Sequence, residues 1–563
     1  MNLIDKFLER SEFSSYEDFK RNYKLKIPKN FNFAYDVVDE YARLQPEKPA
    51  LLHVDENENI TRYSFGDIKK LSDKAANVLK AHGIKKGDRV MMMLKERAEV
   101  WVTIIALCKI GAVSIPATFQ LTPKDIAYRC ESADIKLICF AEDSEVIKHL
   151  REAQEHHESV KKVPTAIVGD DIAPRFGDEF IDYRKEIAEA SDTFARPTGD
   201  EATANTDIML TYFTSGTTGM PKMVTHNFVY PLGHITTAKY WQQVEDEGLH
   251  LTMADSGWAK FAWGKIYGQW IAGGVMVAFD TGKFDSVKLL RTIDKLRLTT
   301  FCAPPTIYKF LIKEDMSSCD FSSIRHCGTA GEPLNPEVVN RFREATGHTI
   351  YEGFGQTETT VMLANFGWDE LKLGSTGKPS PLYDIDIVDE NDKPCEDGVV
   401  GRVVIKNASD HPCGLFIEYA QDQAAMDKAW KNGIYDTGDT AWRDSDGYFW
   451  FEGRSDDMIK CSGYRIGPFE VESALMTHPS VLECAVTAAP DPIRGQVVKA
   501  TIVLAKDFTP SDELKKEIQN HVKVTTAPYK YPRIVDFVAE LPKTTGGGKI
   551  KRADIRKRDE GNA

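Results

Sequence analysis

The chain lacks most of the features that assign a function at sight, and each absence excludes something. Its ten cysteines are scattered from Cys108 to Cys484, with no C-x-x-C pair and no Cys/His group at zinc spacing. That excludes a zinc ribbon and a thioredoxin-type redox centre, and it predicts reduced thiols in a cytoplasmic protein. A basic excess is also missing: 71 Lys and Arg stand against 85 Asp and Glu, a net charge of −14. Nucleic acid is therefore a poor bulk electrostatic partner, although local phosphate pockets remain open. No apolar run is long enough to cross a bilayer. The best candidate, 101–117, is broken by Lys109 and Gly111 and reads as a buried helix followed by a strand. The first residues have no long apolar core and carry too many acids, so they read as neither a secretory signal nor a transit peptide. No short-period repeat is present. The Walker pattern is absent too, because Gly219 is followed by Met220, Pro221 and Lys222.

What remains is a chain of 563 residues, 42% hydrophobic and 28% charged, a balance that suits a large folded enzyme rather than a disordered chain. Its focal stretch is 211–222, TYFTSGTTGMPK. The apolar approach through Ile208, Leu210, Tyr212 and Phe213 predicts a short buried strand. Thr214, Ser215, Gly216, Thr217, Thr218 and Gly219 follow, then Lys222. Glycines let backbone N–H groups face a ligand, and the hydroxyls and lysine add further donors. Taken alone, such a cluster is as easily a surface linker. The strand before it and the Pro-Lys exit favour a non-Walker polyphosphate loop.

Along the chain, residues 1–30 read as a helical arm. Helix and strand then alternate to about 170 and again from 280 to 350, which predicts an α/β fold with mostly parallel sheet. From 370 to 450, short β-like runs between Asp, Asn and Gly turns predict a β-rich subdomain. The charged stretch 452–465, EGRSDDMIKCSGYR, reads as a joint. A small α/β unit follows and ends in the glycine loop TTGGGK. The expected division is therefore a large N-terminal domain, 1–455, of layered α/β subdomains plus the β-rich part, and a small mobile α/β domain, 456–563.

Further motifs accompany the loop: Gly331-Glu332-Pro333; 351–358, YEGFGQTE; 435–439, YDTGD; 453–457, GRSDD; 462–465, SGYR; and Pro542-Lys543-Thr544 through Lys549. In this order they resemble the acyl-adenylate-forming superfamily, over about 30–555, and within it the medium-chain acyl-CoA synthetases. The resemblance implies a two-step reaction. A carboxylate attacks the α-phosphorus of ATP to give acyl-AMP and pyrophosphate, and the thiol of coenzyme A then displaces AMP. Such chemistry needs no Ser-His-Asp set. It needs anions brought together and charge spread over a phosphoryl transition state, hence N–H donors, hydroxyls, a lysine and Mg²⁺.

The resemblance also implies roles. The loop from Thr214 to Lys222 would hold the β- and γ-phosphates. Glu358 would bind Mg²⁺, and Thr357 would contact the α-phosphate. Phe354 would stack on adenine opposite Gly331, Glu332 and Pro333. Glu352, Gly353, Gly355, Gln356 and Arg465 would complete the nucleotide site. Asp439 and Arg454 would contact ribose. Lys549 would be the catalytic lysine, although one residue more than usual separates it from Pro-Lys-Thr. Asp456 would be the pivot of the mobile domain. Ser462, Gly463 and Tyr464 would face the pantetheine, with Arg494, Lys523 and Tyr531 as further coenzyme A contacts. Trp241, Trp258, Lys260, Trp263, Cys302 and Gly355 would line the acyl pocket. Gly355 stands where acetate-specific relatives carry tryptophan and so is expected to leave room for a longer acid, whereas Lys260 would either cap the pocket and limit length or snorkel to solvent. The partners expected are ATP, coenzyme A and a small carboxylic acid of short-to-medium or branched chain, with neither nucleic acid nor membrane, for a monomer or homodimer. Two other readings stay open: an adenylating enzyme that loads a carrier protein, although only fourteen residues follow Lys549, and a nucleotide-binding regulator without catalysis.

Overall fold

A computed structural model gives the architecture; it describes all residues except 1–2, 178, 215–219, 281, 283, 333, 462–463, 492–493, 544–549 and 562–563. Two large sheets dominate. The eight-stranded one runs in the order Glu418–Ala420, Lys222–Asn227, Ile208–Thr214, Val113–Pro116, Arg89–Met93, Ile135–Ala141, Thr165–Val168 and Ile181–Asp182. It is parallel except at Lys222–Asn227, which pairs antiparallel with both neighbours. The nine-stranded one centres on the parallel strands Ile350–Phe354, His326–Ala330, Thr300–Cys302, Leu249–Thr252, Val275–Phe279 and Pro49–Val54.

Side-chain alternation along these strands feeds separate cores, as a period of two requires. Val90 and Met92 point into one core and Met91 and Met93 into another; Leu51 and Leu52 split the same way. The shared central core collects one face of each sheet around helices such as Phe65–Ala81 and Glu99–Ile110. The second helix is buried along nearly its whole length, in keeping with the helix expected before Gly111. Outer helices, including Pro123–Ala133 and Ser144–His156 on one side and Ser286–Leu296 and Pro336–Thr346 on the other, cover the remaining faces. The result is the layered α/β architecture read from the alternation of elements. Within this alternation the segment after Phe33 is a π-helical turn, Ala34–Asp39, followed by the short helix Glu40–Leu44.

The β-rich part is an antiparallel sheet of Ile385–Val388, Gly401–Ile405, Ile434–Arg443, Trp430–Lys431 and Phe449–Arg454. Sheet membership changes after Arg454. The next strand, Ile459–Cys461, belongs to a separate five-stranded sheet with Tyr464–Ile466, Gly495–Leu504, Val481–Asp491 and Ile534–Phe537. That sheet packs its own core against Pro468–Met476 and Asp512–Thr525. Between the two sheets lie only four residues, 455–458, of which Ser455 and Asp456 are exposed.

Candidate active site

The strands Ile208–Thr214 and Lys222–Asn227 form a hairpin whose last register pair is Thr214 with Lys222. Both ends of the expected phosphate loop are thereby paired, while Ser215, Gly216, Thr217, Thr218 and Gly219 lie outside the described residues. So do Pro333, Ser462, Gly463 and Lys549. Arg465 pairs through its backbone with Lys460.

Lys222 spreads its ammonium over the ring of Tyr419, 4.5 Å from the centroid. The Tyr419 hydroxyl donates to Glu358 Oε1 at 2.7 Å. Burial pushes the Glu358 carboxyl above its ordinary value, against the opposing pull of Tyr419, Lys222 and Arg454. A half-buried carboxylate poised this way suits a cation held mainly by phosphate oxygens and water, which is how Mg²⁺ is usually bound. Among the described residues no group of three or more His, Cys, Asp or Glu side chains could hold a metal by itself.

The turn that carries Thr357 and Glu358 follows the strand Ile350–Phe354 and is held by groups from four directions. Gln356 N–H donates to Thr359 Oγ1 at 3.0 Å. His226 lies with Nε2 2.8 Å from the Thr357 carbonyl oxygen, so that nitrogen carries the proton. The Glu358 carbonyl accepts from Phe416 N–H at 2.7 Å. The Thr359 carbonyl accepts from Trp263 Nε1–H at 3.2 Å. Burial drives the His226 imidazole down to about 4, which keeps it a neutral donor. Sequence reading passed over His226, Tyr419 and Phe416. Only His226 left a signal, because strand alternation puts it on the face of Lys222.

A second network joins Gln356, Tyr435, Asp439 and Arg454. Gln356 Nε2 donates to Asp439 Oδ2 at 2.6 Å and to the Thr437 carbonyl at 2.8 Å, while its Oε1 accepts from Tyr435 at 2.7 Å. Arg454 Nη1 donates to Asp439 Oδ1 at 3.2 Å and to the Thr437 carbonyl at 3.0 Å. Gly438, at φ +70°, lies under that guanidinium, and a Cβ there would meet Nη2 at 2.7 Å. Arg454 Nε faces Asp456 at 3.7 Å. Phe354 is half-buried with its ring 5.9 Å from that of Phe451. Glu332 accepts from Thr306 Oγ1 at 3.2 Å. Glu352 turns away from solvent, takes a bond from the Leu334 backbone and is raised by burial to about 8.

Trp241, Lys260, Trp263 and Cys302 line one small cavity with Gln242, Thr252, Met253 and the backbone turn at Ala303 and Pro304; its volume is about 10 Å³, enough for one water. Trp258 is not among its walls. Three glycines serve as seats. A Cβ on Gly353 would fall 2.5 Å from the Trp241 ring, one on Gly355 2.4 Å from Trp263 Cη2, and one on Gly331 2.4 Å from Lys260 Nζ. The expectation for Gly355 is corrected here: the space left by the missing side chain is filled by the Trp263 indole instead of lying open. Burial raises the Cys302 thiol to about 11 even though Lys260 pulls it the other way.

On the C-terminal sheet, Tyr464 is 52% exposed and stacks on Tyr529 with centroids 4.2 Å apart. Tyr531 lies between the Lys523 ammonium at 4.1 Å and the Arg533 guanidinium at 4.9 Å. Lys523 and Tyr531 are therefore neighbours, whereas Arg494 bonds its own loop through its backbone N–H, 2.7 Å from Asp491. Sequence reading did not single out Tyr529 or Arg533.

Comparison with known proteins fits this geometry. A model described as AMP-binding enzyme matches residues 38–411, and one described as AMP-binding enzyme C-terminal domain matches 470–549. The chain is 42% identical over 558 residues to the Mus musculus protein named acyl-coenzyme A synthetase ACSM3, mitochondrial, covering 97% of this chain and 94% of that one. The crystal structure of the anthranilate CoA ligase AuaEII in complex with anthranoyl-AMP is similar at a TM-score of 0.85 and 27% identity, covering 95% of this chain and 98% of the other. A Brucella canis acyl-CoA synthetase gives 0.71 at 30% identity, with 94% and 95% covered.

Proposed function

The chain belongs to the AMP-binding enzyme family, on its medium-chain acyl-CoA synthetase branch, and from that premise we propose that its acid is a short-to-medium or branched-chain carboxylate. It is an AMP-forming acid–CoA ligase. The support for the acid is the medium-chain branch itself; Trp241, Lys260, Trp263 and Cys302 wall one cavity of about 10 Å³, which admits an acid only when the tryptophans shift. Its wall is bonded directly to the turn of Thr357 and Glu358 through Trp263 and Thr359. A long chain would have to displace two tryptophans seated on glycines.

In the first step the carboxylate oxygen forms a bond to the α-phosphorus while the bond to the departing pyrophosphate breaks. The loop from Thr214 to Lys222 grips the pyrophosphate end, and Thr357 and Lys549 stabilise charge at the α-phosphate. Mg²⁺, held by Glu358 and phosphate oxygens, would neutralise the triphosphate. Asp439, Gln356 and Arg454 orient the ribose. In the second step the thiol sulfur of coenzyme A attacks the acyl carbon and AMP leaves. The C-terminal domain, 456–563, pivots at Asp456 between the steps and brings Ser462, Gly463 and Tyr464 forward in place of Lys549. Lys523, Tyr531 and Arg494 serve the nucleotide part of coenzyme A.

Ten free thiols suit a reducing compartment. The mouse relative is named as mitochondrial, so the cytoplasm is only one such place. No helix among the described residues is long and apolar enough to cross a membrane.

Carboxylate-dependent ATP–pyrophosphate exchange tests this reading. Release of AMP and pyrophosphate, with kcat/KM higher for butyrate, 2-methylbutyrate or octanoate than for acetate or palmitate, is the expected result. Preference for acetate or palmitate refutes the acid class, and release of ADP and phosphate refutes the reaction. Gly463→Leu is expected to spare acyl-AMP formation and block thioester formation; equal loss of both steps would refute the division of labour between the two faces.

A further inference from the structure

Two tryptophans share the acyl cavity, and their indole N–H groups go to different places. Each ring stands on a glycine, Trp241 over Gly353 and Trp263 over Gly355, and the rings meet edge to face, 6.2 Å apart at 85°. Trp241 Nε1–H donates to the Tyr351 carbonyl at 3.3 Å, inside the strand Ile350–Phe354. Trp263 Nε1–H donates to the Thr359 carbonyl at 3.2 Å, two residues from Thr357 and one from Glu358.

The second bond matters because of what surrounds it. The Thr357 carbonyl is taken by His226 and that of Glu358 by Phe416 N–H, so the turn is suspended from side chains and backbone of other elements. Trp263 is rigid at both ends. Its own carbonyl accepts from Gln269 Nε2 at 2.6 Å, and Gln269 also donates to Gln242, another cavity wall. At the far edge its ring abuts the place where a Cβ on Gly355 would lie, a point only 2.6 Å from the Thr360 carbonyl. An acyl chain that enters the cavity must press on this ring, and the ring cannot tilt without moving its bond to Thr359.

We propose that Trp263 is a positioning residue for adenylation, which transmits the fit of the acyl chain to the turn of Thr357 and Glu358 through Thr359. The inference rests on the acid–CoA ligase reading above and adds to it a mechanism of specificity. A well-fitted acid aligns the α-phosphate contacts, and a poorly fitted one binds but reacts slowly. Discrimination between acids then falls on kcat as well as on KM. A misplacement of about 1 Å in a catalytic group can lower the rate on the order of a hundredfold, so a small tilt of the ring is enough.

The test is Trp263→Phe, which keeps an aromatic wall and removes the N–H. Exchange kinetics are measured with butyrate, 2-methylbutyrate and octanoate, alongside thioester formation from supplied acyl-AMP. The expected result is a fall in exchange kcat of about tenfold for each acid used by the wild type, with the ATP KM and the thioester step within about threefold. Trp241→Phe is the comparison, and its change is expected mainly in the KM for acid. Should Trp263→Phe fail to fold, judged by circular dichroism, Gly355→Ala decides: it keeps the N–H, pushes the ring and is expected to lower kcat in the same direction. A change confined to acid KM or to the ranking of acids makes Trp263 a wall only and overturns the proposal. Equal loss of both half-reactions makes it merely structural and also overturns it. If no carboxylate drives exchange in the wild type, the functional reading fails first.

Discussion

The two sides of the cleft are made of different materials. On the proposed nucleotide side, Gln356, Tyr435, Asp439 and Arg454 are tied by directional hydrogen bonds of 2.6 to 3.2 Å around the Thr437 carbonyl. On the acyl side, Trp241, Trp263 and Lys260 rest on the bare faces of Gly353, Gly355 and Gly331. A hydrogen-bonded site rejects a ligand that leaves a buried polar group unpaired, whereas an apolar wall discriminates weakly, about 1–3 kcal/mol for each methylene. On the function proposed above, the difference would let one side serve a constant substrate and the other serve a choice. Damage to the first should slow every acid alike, and damage to the second should weigh unequally on the acids, except at the Trp263 N–H, whose bond to Thr359 ties the wall to the turn.

The largest test of that division is Lys549→Ala. If Lys549 stabilises charge at the α-phosphate as proposed, its loss is expected to lower acyl-AMP formation on the order of 10²–10³-fold for all acids, while thioester formation from supplied acyl-AMP survives. Loss that depends on the acid would break the comparison. Asp439→Ala comes next. It leaves Gln356 and Arg454 without their carboxylate, and hydrogen bonds to charged groups are worth about 1.5–3 kcal/mol, so kcat/KM for ATP should fall roughly 10- to 100-fold with the ranking of acids unchanged. A reordered ranking in the exchange assay would show that the two sides are not separate.

Gly355→Ala is the opposite probe. Its new methyl meets Trp263 Cη2 near 2.4 Å, and overpacking of this kind costs about 1–3 kcal/mol. Because the strain falls on the acyl wall, kcat/KM should drop up to about tenfold for the bulkiest acid used and less for the smallest. Equal losses for all acids would mean that the strain acts wholly through Trp263 on the turn of Thr357 and Glu358 and not on the fit of the acid.

A separate effect, on stability and not on rate, concerns Glu352, whose carboxyl is held up at about 8 against an ordinary 4.5 because it is buried. The folded state then binds a proton that the unfolded state has released, so this group stabilises the fold fully below about pH 4.5 and progressively less as pH rises toward 8. Glu352→Gln keeps the bond to the Leu334 backbone and removes the titration. Its midpoint in urea should therefore gain on the wild type between pH 5 and pH 8, by at most about 1.4 kcal/mol per pH unit. A difference independent of pH would mean that Glu352 is ionised in the fold.

Particular residues show how far the chain could be read without coordinates. The helix at Glu99–Ile110 ends at a glycine and the strand Val113–Pro116 follows; periodicity and punctuation carried both. The change of sheet after Arg454 was visible as a charged, turn-rich stretch. Trp241, Lys260, Trp263 and Cys302, spread over 61 positions, were grouped by resemblance, and they do surround one cavity. Gly355 was misread because a missing side chain says nothing about which distant ring fills its place. Tyr419 and Phe416, which hold Glu358, come from a segment about 60 residues downstream that carries no motif.

By itself, the sequence determined the order and type of the elements, the family and the kinds of group that could meet a triphosphate and a carboxylate. Those follow from local periodicity, turn chemistry and motifs, which are properties of neighbours along the chain. The tertiary structure alone decided which ring sits on which glycine, that His226 is a neutral donor to Thr357 and that Trp263 is bonded to the turn that carries Glu358. Those facts depend on burial and on contacts between residues as far apart as 131 positions, and packing in three dimensions is what creates them.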